Sequence, residues 1–236
     1  EDIALPVFGG RVLLKDLLYK DILSPSRSLR LSIDVDAVDL TEVSVGLGLP
    51  KFSGSLTATI PKVSFTGRSL LTEGEVDMEL FGGEMRVKEI SIHNIFSPVA
   101  SLKSTIELRE IDLGRLTHTF ELGHMSGILQ GYFKDLVITQ GEPESLDAQI
   151  ETVKRRGVSQ RISVEALEKI SILGTGVSAS ILSSGIYRLF KEYRYAKMGF
   201  KCSLKNDKFV LIGIEVEGNK GYLVKGGLLP PKVNVI

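Results

Sequence analysis

Hydrophobic and polar residues alternate along most of the first 150 residues of the chain. In residues 75–80, Val76, Met78 and Leu80 alternate with three carboxylates. A period of two residues is typical of a β-strand that keeps one face away from water. The two glycines that follow, Gly82 and Gly83, favour the positive φ that a tight hairpin turn requires. The pattern therefore predicts a β-hairpin with its turn at these two glycines.

The predicted hairpin separates apolar from charged side chains. Its cross-strand pairs are Leu80–Met85 and Met78–Val87 on the apolar face, and Glu79–Arg86 and Asp77–Lys88 on the charged face. Apolar and opposite-charge pairs both stabilise neighbouring strands. The alternation continues on the next strand. The predicted apolar, concave face consists of Met78, Leu80, Met85, Val87, Leu102, Ile106 and Leu108.

The whole pattern occurs twice. Residues 8–54 align without a gap with residues 81–127, at an offset of 73, so Gly9 and Gly10 predict the same turn as Gly82 and Gly83. A repeat of this length indicates one supersecondary unit stacked on its copy. We therefore predict one elongated fragment with a first repeat at 3–73, a second at 74–145 and a terminal unit at 146–236.

The terminal unit breaks the repeat and changes its period. Ser163 can cap a helix, and residues 178–196 predict a second helix with Phe190 and Tyr193 on its inner face. Strand patterns return at Phe200 and continue to the two prolines at 230–231. The predicted fold class is thus mainly β with a small helical part: a curved antiparallel sheet of repeated hairpins, a helical pair near residues 163–196, and a terminal sheet.

Charged residues are unevenly distributed along the chain, although its formal net charge is zero. Residues 154–208 carry twelve Lys or Arg residues against four Asp or Glu residues, so the rest of the chain is acidic. Such asymmetry indicates an anionic partner for the basic end. We expect Arg188, Lys191 and Arg194 on the second predicted helix to contact a membrane surface or partner protein. The alternative is that this helix only covers the end of the sheet.

Motifs with catalytic or ligand chemistry are weak. The stretch 174–179 fits a dinucleotide-binding glycine pattern but lacks the surrounding strand–helix–strand alternation. His118, Glu121 and His124 have no equivalents in the first copy, and their spacing is not typical of zinc sites. No nucleophile has a visible base partner. The sequence therefore predicts a protein that is not an enzyme and has no metal, no cofactor and no nucleic-acid partner.

Several segments carry a family resemblance, namely residues 126–131 (SGILQG), 138–143 (ITQGEP), 160–163 (QRIS), 202–207 (CSLKND), 221–223 (GYL) and 233–236 (VNVI). In type and order they resemble the C-terminal region of AsmA-like proteins, which include the TamB and YdbH types. The resemblance implies a repeating β-groove whose apolar channel carries phospholipid acyl chains. It also implies a periplasmic location, as a fragment of a Gram-negative envelope protein anchored in the inner membrane. It identifies no catalytic residues.

Two functions from different classes follow from these expectations. The first is a non-enzymatic conduit that binds and transfers phospholipid, with the apolar face as its groove. The second is an envelope scaffold that assists outer-membrane biogenesis and carries no lipid. A sustained apolar sheet face needs a cover, and acyl chains would provide one.

Overall fold

The computed structural model describes residues 2–20, 27–47, 52–95, 97–175, 191–218, 220–227 and 233–236. Its strands are β1 (Ile3–Val7), β2 (Gly10–Lys20), β3 (Ser28–Asp39), β4 (Gly54–Thr66), β5 (Ser69–Leu80), β6 (Gly83–His93), β7 (Ser101–Asp112), β8 (Met125–Ser126), β9 (Ile128–Thr139), β10 (Glu142–Val153), β11 (Arg161–Ser163), β12 (Glu192–Lys205), β13 (Lys208–Gly213), β14 (Glu215–Glu217), β15 (Lys220–Tyr222) and β16 (Val224–Gly226). Its helices are α1 (Leu40–Leu47), α2 (Leu113–Thr119) and α3 (Val164–Thr175).

The strands form an antiparallel sheet that does not close. Its order is β1-β2-β3-β4-β5-β6-β7-β9-β10-β12-β11-β8, with β13 and β16 also paired to β12, while β14 and β15 form a separate hairpin. Most strands that are adjacent in the sheet are also consecutive in the chain, because hairpins join them. The prediction of a mainly β chain with a small helical part is confirmed.

The 73-residue offset reappears in the strand bounds. Strand β6 starts and ends 73 residues after β2, and the same holds for β7 relative to β3 and for β10 relative to β5. The irregular positions repeat as well, since Asp16 and Glu89 have φ of 54° and 55°. The repeat is therefore a repeat of backbone conformation, including its bulges.

Side-chain contacts repeat with the backbone. Lys15 Nζ donates a hydrogen bond to Asp34 at 2.6 Å, and Lys88 Nζ donates one to Glu107 at 2.9 Å. Each bond raises the pKa of its lysine above the usual range, because the neighbouring carboxylate stabilises the ammonium form. The pairing of β2 with β3 is thus reproduced between β6 and β7.

The hairpin turns lie one residue earlier than the sequence indicated. Phe81 and Gly82, with φ of 51° and 73°, form the turn, while Gly83 is the first residue of β6. Phe8 and Gly9 do the same in the first copy, with φ of 45° and 72°. The predicted assignment of both glycines of each pair to the turn is therefore wrong for Gly10 and Gly83.

Packing differs between the two turns. Phe81 is 3% exposed, and its ring meets that of Phe52 edge-on at a centroid distance of 6.1 Å. Burial of Phe81 offsets the cost of its left-handed backbone, whereas Phe8 has the same backbone while 40% exposed. Gly10 has a different role: a Cβ there would lie 2.5 Å from the Asp36 carbonyl oxygen and 2.6 Å from the Val38 nitrogen. This glycine permits a close approach of strands rather than a positive φ.

The earlier turn shifts the hairpin register by two residues. Met78 pairs with Met85 and Val76 with Val87, whereas the sequence-based prediction was Met78 with Val87. Because side chains alternate with a period of two, an even shift leaves every residue on its predicted face. The apolar and charged sides are as expected, and only the partners differ.

Short helices follow β3 and β7 at equivalent places in the two copies. Asp39 caps α1 by accepting hydrogen bonds from the backbone nitrogens of Thr41 and Glu42 at 2.6 and 3.3 Å. These bonds lower the pKa of Asp39, because they stabilise its carboxylate. Asp112 caps α2 in the same way, with Arg115 N at 3.0 Å. The capping residue was the available signal for both helices.

The copies offer a direct test of equivalence. We expect Gly82→Val and Gly9→Val each to lower the free energy of unfolding by more than ~1 kcal/mol, because a β-branched residue resists positive φ. Since the two backbones agree, the losses should match within about 0.5 kcal/mol. Chemical denaturation of both variants measures this. A loss at one turn only would show that the hairpins are not equivalent.

The predicted helical pair is only half correct. Ser163 caps α3 as predicted, its Oγ accepting from Ala166 N at 3.2 Å. The second predicted helix fails from Glu192 onward, where β12 begins; residues 176–190, including Phe190, lie outside the described residues. Tyr193 and Tyr195 are 3% and 4% exposed, with the exposed Arg194 between them. This period of two is that of a strand.

By backbone contacts the chain divides into two compact units. Unit 1 comprises residues 1–108, 132–147 and 204–208, and unit 2 comprises residues 109–131, 148–203 and 209–236. Among the described residues, the buried hydrophobic side chains of unit 1 are Val38, Leu40, Ala58, Val63 and Phe81. Unit 2 buries many more, among them Ile111, Leu129, Ile162, Leu167, Met198 and Val224. Unit 2 thus has a packed core, and unit 1 is dominated by its sheet.

Within the ranges that the structure describes, no helix combines the length and the hydrophobicity needed to cross a bilayer.

Candidate functional site

A continuous row of apolar side chains crosses six strands of unit 1. The paired positions, from β1 to β6, are Leu5, Val12, Val35, Ala58, Val76 and Val87. Directly opposite residues of antiparallel strands point to the same face. The register therefore places all six side chains on one side of the sheet, which we call the apolar face.

Parallel rows widen this face on either side. One runs through Ile3, Leu14, Ile33 and Ile60, another through Leu56, Met78 and Met85, and a third through Tyr19, Leu29, Phe65, Leu70 and Ile92. Beside the third row lies a cavity of about 260 Å³ lined by Tyr19, Arg27, Ser28, Leu29 and Phe65. The apolar face thus extends along most of the strand length and has one concavity at its end.

The opposite face carries charge. Arg86 forms ion pairs with Asp77 and with Glu75 at 3.1 Å, and Lys88 pairs with Glu75 at 3.4 Å and with Glu107. These side chains are partly exposed, so each pair contributes little stability alone. As cross-strand neighbours they specify the register and keep this face hydrated.

The apolar face is only half-buried. Most of its side chains fall between buried and exposed, while Ile3 and Leu5 are 44% and 43% exposed at the edge. Soluble proteins rarely leave a contiguous apolar surface of more than a few hundred Å² in contact with water. With strands ~4.8 Å apart, a row across six strands is ~24 Å long. Its chemistry and size suit an extended hydrocarbon ligand.

The predicted groove residues all lie in unit 1. Met78, Met85 and Val87 belong to the rows described above, and Leu80 pairs with Gly83. On β7 the carboxylate of Glu107 contacts Lys88 on the charged face. Its strand neighbours Ile106 and Leu108 therefore point to the other side, as does Leu102 by the same alternation. All seven predicted side chains are half-buried.

Most residues of the apolar face were not among those predicted from the sequence. The pairs Val12–Val35 and Val35–Ala58 lie within the first copy, and Ala58–Val76 joins it to the second, whereas all seven predicted residues belong to the second copy. The sequence did contain a signal for the first copy, because the 73-residue offset makes Val12 and Val35 equivalent to Met85 and Leu108.

The predicted basic contact residues are not brought together on a helix. Arg188 lies outside the described residues. Lys191 is exposed immediately before β12, and its carbonyl accepts a hydrogen bond from Val164 N. Arg194 is exposed on β12 itself. The helical contact surface was therefore wrong for Arg194, because the segment from Glu192 onward is extended.

His118 and His124, whose spacing is not typical of zinc sites, line one cleft in unit 2. His118, Glu121 and His124 line it together with Glu165. His124 Nε2 lies 3.7 Å from a carboxylate oxygen of Glu192. Within the described residues, no group of three or more His, Cys, Asp or Glu side chains has the geometry to hold a metal ion.

No protein-family model, no curated protein and no solved structure matches this chain. The likeness to AsmA-like proteins is therefore a sequence-based prediction that these comparisons do not test.

Proposed function

We propose that this chain is a non-enzymatic phospholipid-binding and transfer module that carries acyl chains on the apolar face of unit 1. The observation that supports this most directly is the row from Leu5 to Val87, which is apolar at every one of six consecutive strands. A sheet stabilised only by its own packing would bury such a row under a second layer. Here the row is half-buried, and the opposite face is charged.

The dimensions agree with an acyl ligand. One leaflet of a bilayer contributes about half of the ~30 Å hydrocarbon core, or ~15 Å. A row of ~24 Å accommodates an extended chain of that length. Binding would need no directional contacts, since burial of apolar surface provides the driving force. This would let one face accept chains of different length, as a transfer module requires.

The setting of the proposal comes from the family resemblance. An AsmA-like groove would place the chain in the periplasm of a Gram-negative cell, as a fragment of a protein anchored in the inner membrane. Its partners would then be phospholipid and, at the C-terminal end, a membrane surface or an envelope protein.

Site-specific photocrosslinking tests the proposed ligand. We expect benzoylphenylalanine in place of Met85 to crosslink phospholipid in cells, because position 85 lies on the apolar face. The matched control is the same photoreactive residue in place of Leu71, which is 51% exposed and follows the apolar-face residue Leu70 on β5. Leu71 therefore points to the charged face.

Two outcomes separate the lipid module from the alternative scaffold. Crosslinked phospholipid at position 85 but not at position 71, with phospholipid retained in native mass spectra after gentle extraction, supports the module. Protein crosslinks without lipid, together with lipid-free native spectra, contradict it and favour a scaffold for outer-membrane assembly.

A further inference from the structure

Unit 2 contains a cleft rich in hydrogen-bond donors. It has a volume of about 530 Å³, and we call it the basic cleft. Its polar lining consists of Lys154, Arg155, Ser159, Gln160, Arg194 and Tyr195. These residues come from the segment between β10 and β11 and from β12.

Two of the three cations in the basic cleft have no carboxylate partner among the residues that the structure describes. Arg155 forms an ion pair with Glu110. Neither Lys154 nor Arg194 forms an ion pair with any residue that the structure describes. The cleft therefore has a net positive charge, which attracts anions.

Arg194 has a like charge as its neighbour on the adjacent strand. Arg194 lies directly opposite Arg161 in the pairing of β11 with β12. Like charges in such a pair repel each other. Arg161 is compensated by Glu192 at 3.6 Å, whereas Arg194, which lines the cleft, has no such compensation among the described residues. An anion in the cleft would remove this repulsion.

Gln160 and Tyr195 both line the cleft. The Tyr195 hydroxyl donates to the Ser126 carbonyl oxygen at 2.7 Å. A phenol oxygen that donates one hydrogen bond can also accept one, and the Gln160 side chain is a hydrogen-bonding neighbour of this hydroxyl. Burial also raises the pKa of Tyr195, so the phenol stays neutral.

We propose that the basic cleft binds a phosphate group, held by Lys154, Arg155 and Arg194. Guanidinium groups match the geometry of phosphate oxygens, and an ammonium adds charge. The phosphate could belong to a soluble molecule or to a lipid headgroup, which share this chemistry. The site lies within unit 2 and does not depend on acyl-chain binding by unit 1.

Calorimetric titration of the chain with inorganic phosphate tests the site. We expect Arg194→Gln to raise the dissociation constant about tenfold or more, because it removes a charge-assisted hydrogen bond. The matched control is Arg156→Gln, which removes the same charge beside the cleft without changing its lining. We expect this control to change the dissociation constant about twofold at most, since exposed charges are screened.

Thermal unfolding separates loss of binding from loss of structure. Without phosphate, Arg194→Gln should be at least as stable as the parent, because it removes the repulsion with Arg161. Phosphate should raise the unfolding temperature of the parent and of Arg156→Gln but not of Arg194→Gln. If Arg194→Gln fails to fold, Lys154→Gln takes its place in the same measurements. No phosphate effect in the parent, or equal losses in Arg194→Gln and Arg156→Gln, would overturn the proposal.

Binding to lipid vesicles distinguishes a lipid headgroup from a soluble source of the phosphate. Phosphatidylcholine vesicles with and without phosphatidic acid are tested beside inorganic phosphate. Binding that requires phosphatidic acid and is lost in Arg194→Gln assigns the phosphate to a lipid headgroup. Binding of inorganic phosphate without vesicle binding assigns it to a soluble ligand, and binding of neither contradicts the site.

Discussion

Alanine in place of Gly54 is expected to destabilise the chain by about 3 kcal/mol or more, a large loss for a single methyl group. Gly54 has a φ of 145°, which residues with a Cβ rarely adopt. A Cβ at this position would also overlap the carbonyl oxygen of Glu79 on β5. Left-handed strain costs ~1–2 kcal/mol, and separating the strands breaks ladder hydrogen bonds worth ~1 kcal/mol each.

Chemical denaturation of Gly54→Ala measures this loss, and Gly141→Ala provides the control. Gly141 also has a positive φ, 85°, but a Cβ added there would meet no atom within 4 Å, so only strain of ~1 kcal/mol is expected. The difference between the variants isolates the close approach of β4 and β5. Equal losses would mean that these strands can separate without cost, contrary to their pairing from Gly54 to Thr66.

Much of the fold could be predicted because the sheet is regular. A period of two assigns each side chain to a face whatever the exact register, so Met78 and Asp77 were placed correctly although their partners were not. The internal repeat carried further information, because β6 and β7 start where the offset from β2 and β3 places them. Regularity of both kinds can be read from a single sequence.

The errors arose where tertiary packing decided between local alternatives. A glycine pair does not reveal which glycine needs a positive φ and which needs space, because the close approach of Gly10 to Asp36 and Val38 is a tertiary contact. Tyr193 fits a helical face together with Phe190 as well as a strand face together with Tyr195. Pairing of Tyr193 with the buried Ile162 favours the strand, and no local pattern contains that contact.

The basic cleft could not be predicted as a site, since its residues come from separate parts of the chain. Lys154 and Arg194 lie 40 positions apart in the sequence, and the fold brings them to the same cleft. The only sequence signal was the excess of Lys and Arg in residues 154–208. That excess indicated an anionic partner but not a position, because charge composition carries no geometry.

The apolar face is most vulnerable at its centre. Val76 lies between Ala58 and Val87 in the six-strand row, and Ala58 is 4% exposed. We expect Val76→Asp to lower the free energy of unfolding by about 2 kcal/mol, because it loses apolar burial and removes a carboxylate from water. The same charge would interrupt any hydrocarbon chain that follows the row. Labelling by a phospholipid with a photoreactive acyl chain should therefore fall about tenfold, since ~1.4 kcal/mol suffices for that factor.

Leu71→Asp is the matched control for Val76→Asp, because it places the same charge on the charged face of the same strand. Leu71 pairs with Ser64 and Ser91, so the new carboxylate meets no like charge in these pairs. Stability should change by about 0.5 kcal/mol at most, and acyl labelling should stay at the parental level. Both variants are compared at a temperature where circular dichroism shows them folded, with Ile106→Asp on β7 as a second variant if Val76→Asp does not fold. Full labelling of a folded Val76→Asp, or an equal loss in Leu71→Asp, would exclude the apolar face as the acyl-chain site.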